Sequence, residues 1–260
     1  MNESRGLEIV MVSMNNLQDF RISIESIKEL LARQCRVIVV DSSSTTEILE
    51  ESSKLIDLGN DIYYKWEAPQ GIYHAMNTGV SLCKADTLVW FLNPGDVVTD
   101  SSLILELIEL ITQSDSKWGY GLSSYDNDAQ FPPRLFPKIT ENTVESLFNG
   151  ELQISHQSML VHKEVLVNSG EFNTKFRIAA DLDFQFKILK CCSPAILPKH
   201  LIVVDSSGVS HEQQIRTLFE SFVIRWRRPE FSVLEKISWL MRFVLRRVIS
   251  SKYLKARHAK

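Results

Sequence analysis

Val37-Ile38-Val39-Val40-Asp41-Ser42-Ser43-Ser44-Thr45 is a run of four β-branched apolar residues, then an acid, then five hydroxyl-bearing positions through Thr46. An apolar run without alternation predicts a strand buried on both faces, as in a parallel sheet covered by helices. In open α/β sheets, ligands sit beyond the carboxyl ends of the strands. Asp41 stands at such an end. Reading outward, the same unit recurs. Ile9–Val12 predicts a first strand. Asn15 and Asn16 then offer an N-cap, and Phe20, Ile24, Ile27 and Leu31 repeat at helical spacing. Ser42–Thr46 predicts the cap of a helix running through Ile56. Ile62–Tyr64 predicts a third strand. Ile72, Ala75, Met76, Gly79, Val80 and Cys83 line one helical face. Thr87–Leu92 predicts a fourth strand, and a helix follows around Ile104, Leu107, Ile108 and Ile111. The order is βαβαβαβα, an α/β layout.

The pattern loosens after residue 115. Segment 123–142 carries Asp, Asn, Lys and a Pro-Pro pair, and is expected to be an irregular loop. Ser158–His162 and Leu201–Val204 are strand-like and bracket a helix from Asp181 to Leu189. Two further helices are expected at Glu212–Trp226 and Ser232–Ile249, parted by Pro229. The expected division is a catalytic body over residues 1–211 and a helical extension over 212–260.

Composition excludes several classes. The chain has 260 residues, is 44% hydrophobic and 23% charged, and has a net charge of −3. That is globular composition and opposes a nucleic-acid binder, which carries a basic surplus. The charge is uneven. Residues 212–260 hold 12 Lys/Arg against 4 Asp/Glu, leaving 17 against 28 in the rest. Cys35, Cys83, Cys191 and Cys192 make no C-x-x-C pair, which opposes a zinc site or a disulfide framework. The polar start and the lack of an 18-residue apolar run predict neither a signal peptide nor a spanning helix, so the expected location is cytoplasmic. G-x-G-x-x-G, the P-loop and G-x-S-x-G are all missing, which opposes a dinucleotide-binding site, a P-loop and an α/β-hydrolase.

What remains is a set of polar residues at strand ends and helix starts. Ser13 follows the first strand. Asp41 can accept from a ribose or base, or act as a turn residue. Asn93-Pro94-Gly95-Asp96 follows the fourth strand. Asp96 can hold a hard cation on a diphosphate, which needs only one or two carboxylates, or it can cap the helix beginning near Thr99–Ser102. Asp181 and Asp183 at a helix start point in different directions, so one can face a cleft while the other favours the helix dipole. His156 and Gln157 can hydrogen-bond phosphate or sugar, or be structural. His74 lies off its helix's apolar face.

Four segments resemble the family-2 glycosyltransferases of the GT-A fold, especially small bacterial enzymes of surface-polysaccharide synthesis such as those of colanic acid. These are Val37–Thr45, the helix Gly71-Ile72-Tyr73-His74-Ala75-Met76-Asn77-Thr78-Gly79, the strand end Trp90–Asp96, and His156-Gln157-Ser158 with Gly170-Glu171-Phe172 and Ala179-Ala180-Asp181-Leu182. The likeness spans residues 7–211. It implies a Rossmann-like, mostly parallel sheet flanked by helices, with a C-terminal helical extension. It implies a nucleotide-sugar donor, UDP-linked by preference, bound through Ser13, Asp41, Gly71, Met76, Asn77, Asn93, His156 and Gln157. It implies a divalent cation, Mg²⁺ or Mn²⁺, at Asp96 and a general base at Asp181. Departures from the family pattern are the serines after Asp41, Pro69, His74 and Gly95, which leaves one acid at the metal motif. A catalytically inactive donor-binding relative is therefore the alternative. A sugar nucleotidyltransferase is disfavoured, because nothing near Val12–Asn16 is similar to its Gly-rich signature.

With one base and no second nucleophile, the expected chemistry is direct displacement with inversion, onto a saccharide or lipid-linked saccharide. Residues 231–249 have a broad apolar arc opposed by Glu235, Arg242 and Arg246. Two readings stay open for them: peripheral contact with the inner face of the cytoplasmic membrane, or packing on the protein.

Overall fold

The computed structural model describes residues 6–125, 144–205 and 214–242. Eight strands form one sheet in the order β3-β2-β1-β4-β7-β6-β8-β5. They are β1 Leu7–Ser13, β2 Arg36–Asp41, β3 Ile62–Trp66, β4 Leu88–Phe91, β5 Val97–Val98, β6 Trp118–Tyr125, β7 Met159–His162 and β8 Ala195–Val204. The expected half, β3-β2-β1-β4, is parallel throughout. β7 runs antiparallel to both β4 and β6, β8 is parallel to β6, and β5 is antiparallel to β8.

Helices cover both faces, which explains the unbroken apolar runs. Along β1, Ile9 and Met11 point into one cluster with Phe20, Ile24, Val37, Val39, Trp90 and Ile104. Val10 and Val12 point into the opposite cluster with Ile38, Val40, Met76, Val80 and Phe91. The first layer is α1 (Leu17–Ser26), α2 (Lys28–Leu31), α3 (Glu47–Asp57) and α5 (Ser101–Gln113). The second includes α4 (Ile72–Leu82) and α8 (Ala180–Cys191), with the short α6 (Val144–Asn149) and α7 (Lys163–Asn168) between them in sequence.

Several expectations change. The first helix breaks after Ser26 and resumes at Lys28. Neither Asn15 nor Asn16 caps it through its side chain. Asn15 takes a left-handed conformation (φ 57°) and Asn16 accepts from Ser13 Oγ. Residues 123–125 belong to β6 and not to an irregular loop; 126–142 lie outside the described residues. β6 reads poorly as a strand because it contains Gly119 and Gly121. Those positions are small because Ile111 and Leu107 press on one and Leu201 on the other. β5 is only two residues long, too short for any periodicity.

The C-terminal helices pack on the body. α9 (Gln214–Trp226) buries Ile224, and the following helix over 233–242 buries Trp239. Phe231 stacks on Phe148 with ring centroids 3.8 Å apart. Arg225, buried under Trp239, donates to the carbonyls of Phe148 and Leu147 at the end of α6 (3.0 and 3.2 Å). Residues 243–249 of the expected last helix lie outside the described residues. All four cysteines are free, and burial pushes the Cys35 and Cys83 thiols up to about 12.

Gly79 sets the distance between α4 and the sheet, since a methyl there would overlap the Val10 side chain on β1. Both partners are backbone-anchored, so neither can swing away. Gly79→Ala is expected to destabilise the fold by about 1–3 kcal/mol through overpacking, despite alanine's better helix propensity. A chemical-denaturation midpoint at or above wild type would contradict this packing.

Candidate active site

The chain leaves β4 through a tight turn, Asn93-Pro94-Gly95-Asp96, in which Gly95 has φ 95° and so needs glycine. Ser23 of α1 laces this turn. Its hydroxyl accepts from Gly95 N–H (2.9 Å) and is within bonding distance of the Asp96 and Asn93 carbonyls (2.8 and 3.1 Å). Asp96 is only 2% exposed. One carboxylate oxygen accepts from Asn93 N–H (3.1 Å) and the other from Asp205 N–H (3.0 Å), just past β8. Burial pushes the Asp96 carboxyl up to about 7; its two backbone donors and His156 oppose that rise, and Asp205 adds to it. Asp96 does not cap the next helix, because Asp100 does so by accepting from Ser102 N–H (2.8 Å).

A second acid stands across the turn. A Cβ placed on Gly95 would lie 3.0 Å from an Asp205 carboxylate oxygen and 3.3 Å from its carboxylate carbon. The side chain of Asp205, at the end of β8, therefore lies against position 95 of the turn. Among the described residues no cluster of three or more His, Cys, Asp or Glu could hold a metal. Two carboxylates are nevertheless a sufficient protein share for a hard cation whose shell is completed by phosphates and water. Each Asp96 oxygen also keeps a second lone pair beyond its amide bond. The pair fits such a cation.

The second cluster sits at the ends of the neighbouring strands β1, β2 and β3. Asp41 is fully buried. It accepts from Ser43 N–H (3.0 Å), from Ser43 Oγ, and from the Tyr64 hydroxyl (2.8 Å). Burial, and then Asp41, raise the Tyr64 pKa well above its ordinary value. Ser13 pairs in register with Asp41 and donates to Asn16. Asn15 accepts from Ser44 N–H and Oγ (2.9 and 3.0 Å), so the serines after β2 are held from both sides. Trp66, at the end of β3, donates its indole N–H to Ser43 O (2.9 Å) yet is 55% exposed.

The third group faces the turn from α4, α8 and the 3₁₀ turn His156–Ser158. Asp181 lies in the first turn of α8. Oδ1 accepts from Leu182 N–H (2.8 Å) and lies 3.3 Å from the Tyr73 hydroxyl; Oδ2 lies 3.4 Å from His156 Nδ1. The far ring nitrogen, Nε2, is 3.2 Å from Asn93 Nδ2. Asp96, Asn93, His156, Asp181 and Tyr73 are therefore one connected network, over an apolar pocket lined by Phe91, Met159, Val161, Phe172 and Phe184. Asp183 points the other way, into Arg228 and Lys187.

Not every expected donor-site residue faces open space. Gly71 starts α4 at φ 104°. Met76 is sealed in the core behind the site. Asn77 spends both ends of its amide on the Phe172 backbone (2.9 and 3.1 Å), tying α4 to the 170–172 loop. Gln157 is buried and accepts from Ser155. His74 bonds Glu67, which also accepts from Thr78.

Sequence reasoning missed Ser23, Asn15, Trp66, Asp205 and Glu220. Glu220 of α9 accepts from the backbone N–H groups of Arg177, Ile178 and Ala179 (3.1, 2.9 and 3.1 Å) and bonds Arg216 (2.9 Å). Ala179 cannot cap α8, so a carboxylate from another helix serves its N-terminus.

The family model for glycosyl transferase family 2 matches residues 8–166, which takes in the β1–β3 strand ends and the turn after β4 but not Asp181 or Asp205. The chain belongs to glycosyl transferase family 2. It is 22% identical over 224 residues to an uncharacterized glycosyltransferase of Mycobacterium tuberculosis H37Rv, covering 84% of this chain and 82% of that one. It is 23% identical over 216 residues to a PGL/p-HBAD biosynthesis glycosyltransferase of Mycobacterium bovis BCG (76% and 75%). The fold matches S. aureus TarS 1–349 in complex with UDP-GlcNAc, with TM-score 0.69, 15% identity, and coverage of 92% and 71%. It also matches the Pyrobaculum calidifontis mannosyltransferase PcManGT with GDP-Man and Mn²⁺ (TM-score 0.63, 17% identity, 89% and 67%). The GT-A architecture expected from the sequence is the one observed, with more antiparallel pairing. This member of the family is a glycosyltransferase.

Burial pushes the Glu220 carboxyl up, but three backbone donors and Arg216 outweigh it, and its pKa falls below the ordinary value. A lowered carboxylate pKa stabilises above the ordinary range, and that contribution is lost as pH falls through the folded value. Glu220→Gln is expected to cost about 1–3 kcal/mol at neutral pH. The difference from wild type should close on acidification. Denaturation midpoints for both proteins across the acid range check this; a difference that stays constant in pH would refute it.

Proposed function

We propose that this enzyme moves a hexosyl or N-acetylhexosaminyl group from a UDP-sugar to a saccharide or lipid-linked saccharide acceptor, with inversion, in bacterial polysaccharide synthesis. The observation that carries the reading is the network joining Asp96 and Asn93 on the donor side to Asp181 on the other. One carboxylate pair and one separate, half-buried carboxylate have distinct surroundings, as leaving-group stabilisation and base catalysis require. The relatives' names and the UDP-GlcNAc complex of TarS support the substrate class.

Asp96 and Asp205 would hold a divalent cation, which supplies Lewis-acid neutralisation of the departing diphosphate. Asp41 and Ser13, with Trp66 alongside, would take the nucleoside end. Asp181 Oδ2 would remove the acceptor hydroxyl proton as that oxygen bonds the anomeric carbon and the bond from that carbon to the diphosphate oxygen breaks. No covalent sugar–protein intermediate is needed, so the anomeric configuration inverts. The place of Asp205 against Gly95 weighs against an inactive relative, because it puts a second acid beside the turn.

Asp181→Asn is expected to keep nucleotide binding and lose about 10²–10⁴-fold in turnover. A wild-type rate would overturn the base assignment. Nucleotide with Mn²⁺ should raise the thermal midpoint, and chelator should cancel that rise. Because the Asp96 carboxyl sits near 7, protonation below that pH should weaken the metal-dependent rise. A shift independent of metal and pH would remove the cation from the scheme.

A separate observation supports peripheral membrane contact. No helix among the described residues is long and apolar enough to cross a membrane. Val233, Leu234, Ile237 and Met241 nevertheless share one exposed helical face, with Leu234 79% and Met241 68% exposed. Twelve Lys/Arg against four acids in 212–260 match an anionic surface. The full chain should float with phosphatidylcholine vesicles only when they contain phosphatidylglycerol, and Leu234→Asp with Met241→Asp should abolish flotation. Unchanged flotation of that double variant would exclude this face.

A further inference from the structure

We propose that His156 is a positioning residue that clamps Asp181, and not a contact to the donor. The proposal rests on the reading of Asp181 as base. It starts from hydrogen-bond valence. An ionised carboxylate only accepts, so the 3.4 Å approach of His156 Nδ1 to Asp181 Oδ2 is attractive only if Nδ1 carries a proton. In a neutral ring Nε2 then holds a lone pair. Asn93 Nδ2, an obligate donor, stands 3.2 Å from it. Asn93 Nδ2, both ring nitrogens and Asp181 Oδ2 thus each face a partner of the opposite kind, although Asn93 Oδ1 is buried without one, and the tautomer is set from both ends.

The ring is a rigid spacer between two parts of the site that are far apart in sequence. Asn93 is held by Asp96 through its backbone N–H. Asp181 is held at Oδ1 by Leu182 N–H and approached by Tyr73. The groups facing His156 are therefore Asp181 from α8, Asn93 with Asp96 behind it from the β4–β5 turn, and Tyr73 beyond the carboxylate. Without His156, nothing among these fixes Oδ2, and the carboxylate is anchored at Oδ1 alone. With His156 in place, one lone pair of Oδ2 is occupied and the other stays directed for the acceptor hydroxyl. The substrate proton goes to Asp181, and His156 keeps its own proton throughout.

Three variants separate this role from its rivals. Asparagine places an amide N–H near the position of Nδ1, so His156→Asn should keep kcat within about tenfold of wild type. Glutamine reaches the position of Nε2 instead. His156→Gln and His156→Ala should each lose about 10²-fold in kcat, the scale expected for a misplaced catalytic group, with donor KM unchanged. Wild-type kcat in the Gln and Ala variants would overturn the proposal. So would a raised donor KM at unchanged kcat, which would make His156 a donor contact. A second readout does not depend on turnover. Imidazole ¹⁵N spectra of the donor-free protein, with His156 identified among six histidines by difference from His156→Asn, should show the Nδ1-protonated tautomer. The Nε2-protonated form would refute the clamp. If wild type transfers no sugar while that tautomer is Nδ1-protonated, the base reading fails and the clamp geometry stands.

Discussion

The site depends on one carboxylate kept out of water. Asp96 accepts two backbone N–H groups that belong to segments more than a hundred residues apart, Asn93 after β4 and Asp205 after β8. A buried charge is tolerated only when it is hydrogen-bonded, so each segment's position satisfies the other's requirement. Ser23 holds the same turn from below. Once the turn is fixed, Asn93 is aimed at His156 and the Asp205 carboxylate is brought against Gly95. The arrangement of this side of the cleft is thus a consequence of satisfying one buried acid.

Much of the fold was legible because burial on both faces leaves a plain record. Residues 9–12, 37–40 and 88–91 are apolar without alternation, and helical spacing between them is clean. The second half was less legible for a physical reason. β6 has to admit Leu107, Ile111 and Leu201 close to its backbone, and the glycines that allow this are the residues that also signal loops. β7 is as apolar as β4, so its antiparallel direction is written in its connection and not in its composition.

The candidate site divides along the same line. Residues that stand at their own strand end or helix start, such as Asp41, Asp96 and Asp181, can be found from sequence because their position follows from local structure. Asp205 and Glu220 cannot, because their partners are set by tertiary packing. Neither forms a motif with the residues it serves. Conversely, Met76 and Asn77 sit in the most specific motif of the chain, yet the structure uses one as core and the other as a strut to Phe172. Motif membership marks geometry under constraint, and that constraint can act through the backbone.

The cap that Glu220 places on α8 also orders events in time. During synthesis the strands of the parallel half emerge first, and their mutual pairings need nothing beyond residue 91. The segment that leads into the helix carrying Asp181 has three N–H groups whose acceptor is not made until residue 220. A nascent chain therefore builds the proposed nucleoside end well before it can anchor the proposed base, because contacts of long sequence separation form last. A chain halted before residue 220 would carry the parallel half of the sheet without the anchor of the segment that leads into Asp181.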